Sequence, residues 1–283
     1  MKDLIVSTIS ENYEWTDIKN WIGSLKKTNY SGDILFICYN FNNNKEYIHK
    51  LNDLGVLTLE PQNTYRAEIE TNFLWHSGYV NNGNANKLIH NVRLFHLWQY
   101  FTENKIEEEY ERIIFMDGRD VVFQKNPSEW LDKNMTNEIL VPSEGVLYSN
   151  QDWNTNNALI NFGPYVYEYL LKDDFVFNVG TFACKSTICK DLCLIIYLMS
   201  NNIGHADQPS FNILTKTLLK DKCQIVNYND LWAFQIGAII ENIEDYCYFK
   251  DGLVYSKKHN EPYFIIHQYD RVPNFKSYFD KNI

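Results

Sequence analysis

The stretch Arg112-Ile113-Ile114-Phe115-Met116-Asp117-Gly118-Arg119-Asp120-Val121-Val122-Phe123 constrains this 283-residue chain more tightly than any other segment. Its first apolar run is too short for a typical helix and too apolar for a loop, so it reads as a buried strand. Asp117 and Asp120 then fall where that strand runs out. Carboxylates beside an apolar core need something cationic to meet them, because desolvating an unpaired charge is costly. Three readings fit the acidic tetrapeptide. One is an ordinary turn, since Gly118 tolerates positive φ and Asp favours turns. A second is a phosphatase-type aspartyl nucleophile, but those acids are spaced Asp-x-Asp and followed by Gly-Thr, which is absent here. The third is a divalent cation carrying a diphosphate.

Composition limits the partners. The chain is 45% hydrophobic and 16% aromatic, enough for a large core and far from a disordered composition. A formal net charge of −10 and the lack of a polybasic stripe argue against binding nucleic acid, which needs a basic surface. The six cysteines (Cys38, Cys184, Cys189, Cys193, Cys223 and Cys247) show no Cys-x-x-Cys pair and no zinc spacing. They read as reduced core residues, with Cys189 and Cys193 on one helix face, and point to a cytoplasmic protein. Met1 leads straight into a strand with no signal peptide, and no run of 18 apolar residues suggests a membrane span.

Hydrophobic periodicity orders the first third of the chain as strand (Leu4 to Ile9), helix (Glu14 to Lys27), strand (Ile34 to Tyr39), helix (Lys45 to Leu54, stopped by Gly55) and strand (Val56 to Leu59). That alternation predicts an α/β fold with a parallel, doubly wound sheet, whose ligands lie beyond the carboxyl ends of the strands. Gly78 to Asn86 is Asn/Gly-rich and reads as a loop; Lys87 to Phe101 reads as an amphipathic helix. Glu138 to Pro142 is a further strand, and Phe175 to Ala183 a strand interrupted at Asn178-Val179-Gly180. Thr187 to Met199 is an apolar helix. His205 to Asn212 opens another, with Asp207 expected as N-cap and Pro209 near its first turn. Tyr263 to His267 is a late strand ending on histidine. No repeat, linker or domain break interrupts the chain, and one domain over 1–283 is expected.

Four landmarks, in this order, resemble the GT-A class of nucleotide-sugar glycosyltransferases over roughly residues 3–271. Asp117-Gly118-Arg119-Asp120 after an apolar strand resembles the metal-binding acidic motif of that class. Asp-x-x-Asp is a variant of its commoner Asp-x-Asp, seen for example in the glycosyltransferase domain of collagen lysyl hydroxylases. Asn178-Val179-Gly180-Thr181 is similar to the Asn-x-Gly turn beside the donor sugar. Asp207-Gln208-x-x-x-Asn212 is similar to the helix start of several such families, and Ile265-Ile266-His267 to the late histidine that completes the metal shell.

The resemblance implies a single GT-A, Rossmann-like domain: a mixed, mostly parallel sheet flanked by helices. Its nucleotide-binding half would span about 1–125 and its acceptor-side half about 126–283. It implies Mn2+ or Mg2+ held by Asp117, Asp120 and His267, hard oxygen ligands plus an imidazole that favours Mn2+. The donor, a nucleotide sugar and most simply a UDP-sugar, would lie against Ser7, Thr8, Ser10, Tyr13, Arg93, Asp117, Asn178, Gly180 and Gln208. The acceptor would be a glycan. Asp207 is the first candidate for the general base that deprotonates the acceptor hydroxyl, with Glu144 the alternative. Trp153, in the Asp152-Trp153-Asn154 loop, is a candidate acceptor platform, whereas Trp232 reads equally as core. Arg119 would brace the two acids or touch the donor.

Two other functions fit such a scaffold. A nucleotidyltransferase making the activated sugar usually carries a basic, Gly-rich loop after strand one. Here Ser10-Glu11-Asn12-Tyr13-Glu14 is acidic and lacks glycine. A non-catalytic glycan-binding protein would need no metal-binding acids.

Overall fold

In the first two strands, β1 (Lys2–Ser10) and β2 (Asp33–Tyr39), side chains alternate between two apolar layers. Ile5, Ile9, Ile34 and Phe36 face one layer; Leu4, Val6, Leu35 and Ile37 face the other. A strand buried on both faces needs helices above and below it. In the computed structural model, which describes residues 1–41, 44–61, 86–200, 205–238 and 243–282, those helices are present. Trp15–Lys27 and Lys45–Asp53 cover the first face. Asn86–Asn104 and Ser186–Met199 cover the second, with Leu94, Leu97, Phe101, Cys189, Leu192, Cys193 and Ile196 buried beneath them.

The sheet continues through β3 (Leu57–Leu59), β4 (Tyr110–Phe115), β6 (Ile139–Leu147), β7 (Phe175–Phe177), β8 (Ala183–Lys185) and β9 (Cys223–Val226). Its order is β3-β2-β1-β4-β8-β6-β7, with β9 also paired to β6. β1–β2, β2–β3, β1–β4 and β6–β9 are parallel, while β8 runs antiparallel between β4 and β6, and β7 antiparallel to β6. The chain is therefore α/β, a mixed sheet of mostly parallel strands flanked by helices. β5 (Val121–Phe123) leaves this sheet to join β10 (Ala233–Gln235) and β13 (Ile265–His267) in a three-stranded sheet. β11 (Cys247–Lys250) and β12 (Leu253–Ser256) form a hairpin.

Several expectations shift. The stretch from Phe175 to Ala183 is two strands rather than one interrupted strand, because the chain changes partner at Asn178-Val179-Gly180, from β6 to β4 and β6. β6 runs on past Pro142 to Leu147 because its edge is still paired at Ser143 and Leu147. Asp207 is not an N-cap: Ala206 occupies that position, and Asp207 opens the helix Asp207–Lys216. Asp152-Trp153-Asn154 is the first turn of the helix Asp152–Val166 rather than a loop, started by the Gln151 side chain, which accepts the Trp153 N–H. Residues 78–85 of the expected loop lie outside the described residues, and Asn86 already begins a helix. Gly55, at φ 76°, stops the second helix as expected. No helix among the described residues is long and apolar enough to cross a membrane.

Candidate metal centre and its surroundings

Strand register assembles the centre. β13 pairs antiparallel with β5, placing His267 opposite Val121, the residue after Asp120. The Gln268 N–H donates to the Asp120 carbonyl at 2.7 Å and fixes that alignment. On its other edge, β13 pairs with β10, placing Gln235 opposite His267. Gln235 Nε2 donates to Thr181 Oγ1 at 2.6 Å. That leaves Gln235 Oε1, 2.6 Å from His267 Nδ1, to accept from the ring. The hydrogen is thereby assigned to Nδ1, and Nε2 turns to the acids, 3.3 Å from Asp117 Oδ2 and 3.6 Å from Asp120 Oδ1. The imidazole is fully buried, and its Nε2 has no hydrogen-bond partner.

Two glycines let the backbone close on this cluster. A Cβ on Gly180 would overlap the Asp117 carboxylate and stand 3.0 Å from His267 Cε1. The Asn178 turn holds Gly180 there: Asn178 Oδ1 accepts the Gly180 N–H at 2.8 Å, and the Gly180 carbonyl accepts the Asp117 N–H at 2.9 Å. Gly118 is needed for the same reason and not for a positive φ, which it does not adopt. A Cβ on it would strike the Thr8 carbonyl and come 3.0 Å from Ile9 Cγ2. From below, Trp21 Nε1 donates to the Asp117 carbonyl at 3.0 Å.

Arg93 is no surface arginine. Its guanidinium reaches from the helix Asn86–Asn104 to Asp117 Oδ1 (Nη1, 3.3 Å) and Asp207 Oδ2 (Nη2, 2.9 Å). Asp117 therefore gives one oxygen to arginine and turns the other to His267. Burial pushes the Asp117 pKa up, but His267 and the Arg93 charge outweigh it and hold the group below the usual carboxylate range. Burial alone would lower His267; the charge of Asp120 and the contacts with both acids instead raise it to about 9.

Beyond Asp117 lies a buried amide network. Asn178 Nδ2 donates to Glu144 Oε1 at 2.8 Å, and Gln208 Nε2 donates to the same oxygen at 3.4 Å and to Asn154 Oδ1 at 2.7 Å. Asn212 fastens β7 to the helix by accepting the Phe177 N–H and donating to the Phe177 carbonyl. Desolvation raises the Glu144 pKa above the ordinary value against the pull of these bonds, and the charges of His267 and Arg271 reach it. Asp207 is otherwise engaged, by Arg93 and by the Gln208 N–H at 3.0 Å.

The remaining expected site residues do not share one place. Ser7 and Thr8 line a small cavity with Arg93 and Asp117, and Ser7 Oγ is buried there without a partner. Tyr13 lines a separate cleft with Glu11, Trp15, Asn44, Tyr47 and Lys50. Burial first, and then the charges of Asp117 and Asp120, raise the Tyr13 pKa above the ordinary value. Ser10 is buried at the strand end and lines neither cavity. Arg119 does not brace the two acids; it pairs with Asp270 at 3.1 Å and is half exposed. Trp232 is core, its Nε1 bonded to the Thr181 carbonyl. Sequence reasoning missed Gln235 and Trp21 as parts of the site, and for them no local motif exists.

Asp117, Asp120 and His267 offer one ligand atom each, all within 4.8 Å of one another. Nε2 without a hydrogen bond, and a donor set of two carboxylates and an imidazole, fit a hard or borderline divalent cation. No protein-family model matches the chain, and no curated protein matches its sequence.

Proposed function

We propose that the protein is a metal-dependent glycosyltransferase that moves a sugar from a nucleotide-diphosphate donor, in the simplest case UDP-linked, to a glycan acceptor within a GT-A-like domain. The observation that carries this reading is the convergence of Asp117, Asp120 and His267, from distant parts of the chain, with a buried imidazole nitrogen left unsatisfied between two carboxylates. Mn2+ or Mg2+ held there would act as a Lewis acid on a diphosphate leaving group. The cleft of Tyr13, Trp15 and Tyr47 at the ends of β1 and β2 gives a nucleoside an aromatic wall beside that cluster. Its acidic lip, Glu11 and Glu14, is unlike the basic loop of a nucleotidyltransferase.

Within this reading the two candidate bases separate. Both Asp207 oxygens are engaged, so Asp207 serves to hold Arg93 against Asp117. Glu144 is anchored through Oε1 alone, and its raised pKa makes it the better proton acceptor for an attacking hydroxyl. Gln208 and Asn178 orient that carboxylate and do not themselves exchange protons.

The first test is thermal unfolding with Mn2+ and UDP, which should raise the melting temperature in a way EDTA reverses. Absence of any nucleotide response would favour a glycan-binding protein without catalysis. Hydrolysis of a panel of nucleotide sugars then identifies the donor. Glu144→Gln should lower kcat about 10²–10⁴-fold with little change in donor KM, the range for loss of a general base. Unaltered turnover in that variant would remove Glu144 from the mechanism.

A further inference from the structure

A second aromatic surface flanks the acidic cluster, opposite in character to the Tyr13 cleft. Trp153, 46% exposed on the first turn of its helix, meets His205 with ring centroids 5.3 Å apart and planes at 50°. His205 meets His90 at 4.6 Å and 51°. The rings are tilted rather than stacked, so they form a faceted wall on which a ligand can pack without displacing a neighbour. The inner end of the wall joins the centre directly. The His90 carbonyl accepts from Arg93 Nε at 3.1 Å, Arg93 bonds Asp117 and Asp207, and His205 lies two residues before Asp207.

The wall is rigidly mounted. Gln151 caps the turn that carries Trp153, and the adjacent Asn154 is buried and bonded to Gln208 on the Asp207 helix. An exposed indole on a fixed backbone loses little freedom when a ligand covers it. The chemistry suits a sugar ring: C–H faces pack on the indole, and the His90 imidazole beside Arg93 meets hydroxyls. Burial holds His90 below the ordinary histidine value, against the pull of Asp207, so it meets such a ligand as a neutral imidazole.

Resting on the transferase reading, we propose that Trp153, His205 and His90 form the acceptor subsite and hold a neutral sugar ring with its reactive hydroxyl toward the Asp207–Glu144 side of the centre. A flat aromatic base is not the intended occupant, because a nucleoside has its own cleft on the β1–β2 side.

The test titrates the protein, with Mn2+ and UDP present, with lactose, cellobiose, N,N′-diacetylchitobiose and maltose, and reads binding by calorimetry. The Mn2+–UDP thermal shift is measured in parallel on the same variants. At least one disaccharide should give a binding isotherm with the parent chain. Trp153→Ala should weaken that binding about five- to tenfold, the scale of one ring contact, with Trp153→Phe recovering part of it and the Mn2+–UDP shift unchanged. His205→Ala should weaken it in the same way. Sugar binding that survives both alanine variants overturns the subsite, as does an absence of any sugar response while the Mn2+–UDP shift persists. If instead the nucleotide shift is missing but sugar binding depends on Trp153, the subsite stands and the transferase reading fails.

Discussion

The two ends of the main sheet each bury an arginine among aspartates, yet only one end is satisfied. At the amino ends of the strands, Arg112 binds Asp3 through two bonds of 2.9 and 3.0 Å and Asp132 at 2.5 Å, and Ser128 Oγ donates to Asp3 at 2.5 Å. Every charge there has its partner. At the carboxyl ends, Arg93 and His267 face Asp117, Asp120, Asp207 and the nearby Glu144, and His267 Nε2 meets the two acids only at 3.3 and 3.6 Å, without a well-formed hydrogen bond. A closed network of this kind holds β1, β4 and the helix Pro127–Asn134 together. The open one holds an excess of negative charge around loosely paired cations, which is the contrast the proposed metal site rests on.

Removing Arg112 should do the most damage. Arg112→Ala strands the buried Asp3 and should cost about 3–5 kcal/mol in urea unfolding. Asp120→Ala in the metal-free protein should cost less, since His267 keeps Asp117 as its nearer acid partner; equal losses would erase the contrast between the two ends.

The pH response comes next and changes sign with metal. His267 titrates at about 9 instead of 6.5 in the metal-free fold. Its protonation therefore contributes stability that is full below about pH 6.5 and lost as pH rises through about 9. That contribution is on the order of 3 kcal/mol. Mn2+ needs the bare Nε2, so its stabilising effect should grow over the same interval. Melting curves at pH 6 and 9 with and without Mn2+ check both slopes, and a His267→Ala chain should show neither.

Mn2+ at a hundredfold excess over its Kd should add about 2.7 kcal/mol to the parent chain. Asp120→Ala should lose that gain entirely; a retained response would place the ion elsewhere. The finest test is Gln235→Leu, which frees the His267 ring while sparing all three ligands. It should weaken Mn2+ binding about 10–100-fold in calorimetry.

What the sequence disclosed is what repeats locally or ends an element. The strand-helix-strand-helix-strand order of the first third announced a parallel sheet covered on both faces, and the strand ends marked Asp117, Asp120 and His267. What stayed hidden depends on register between distant segments. Gln235 is one polar residue in a short apolar strand until β10 pairs with β13 and sets it opposite His267. Arg93 was expected against the donor, but nothing local says that its side chain crosses to Asp117 and Asp207. Asp207 looked like a cap because the residue type favours caps; the pull of Arg93 is tertiary and overrides that preference. Arg119 failed in the opposite direction: adjacency to both acids suggested a brace, but its backbone directs it outward to Asp270.

Because β13 delivers the imidazole, the order of synthesis bears on when the molecule can chelate. A ribosome releases both aspartates some 150 residues before His267 emerges. Until that last strand slots between β5 and β10, the nascent chain holds two acids with no nitrogen between them. Capture of the proposed cation would thus be a late event in maturation, and a chain cut short ahead of Ile265 would keep much of the main sheet while never acquiring the third candidate ligand.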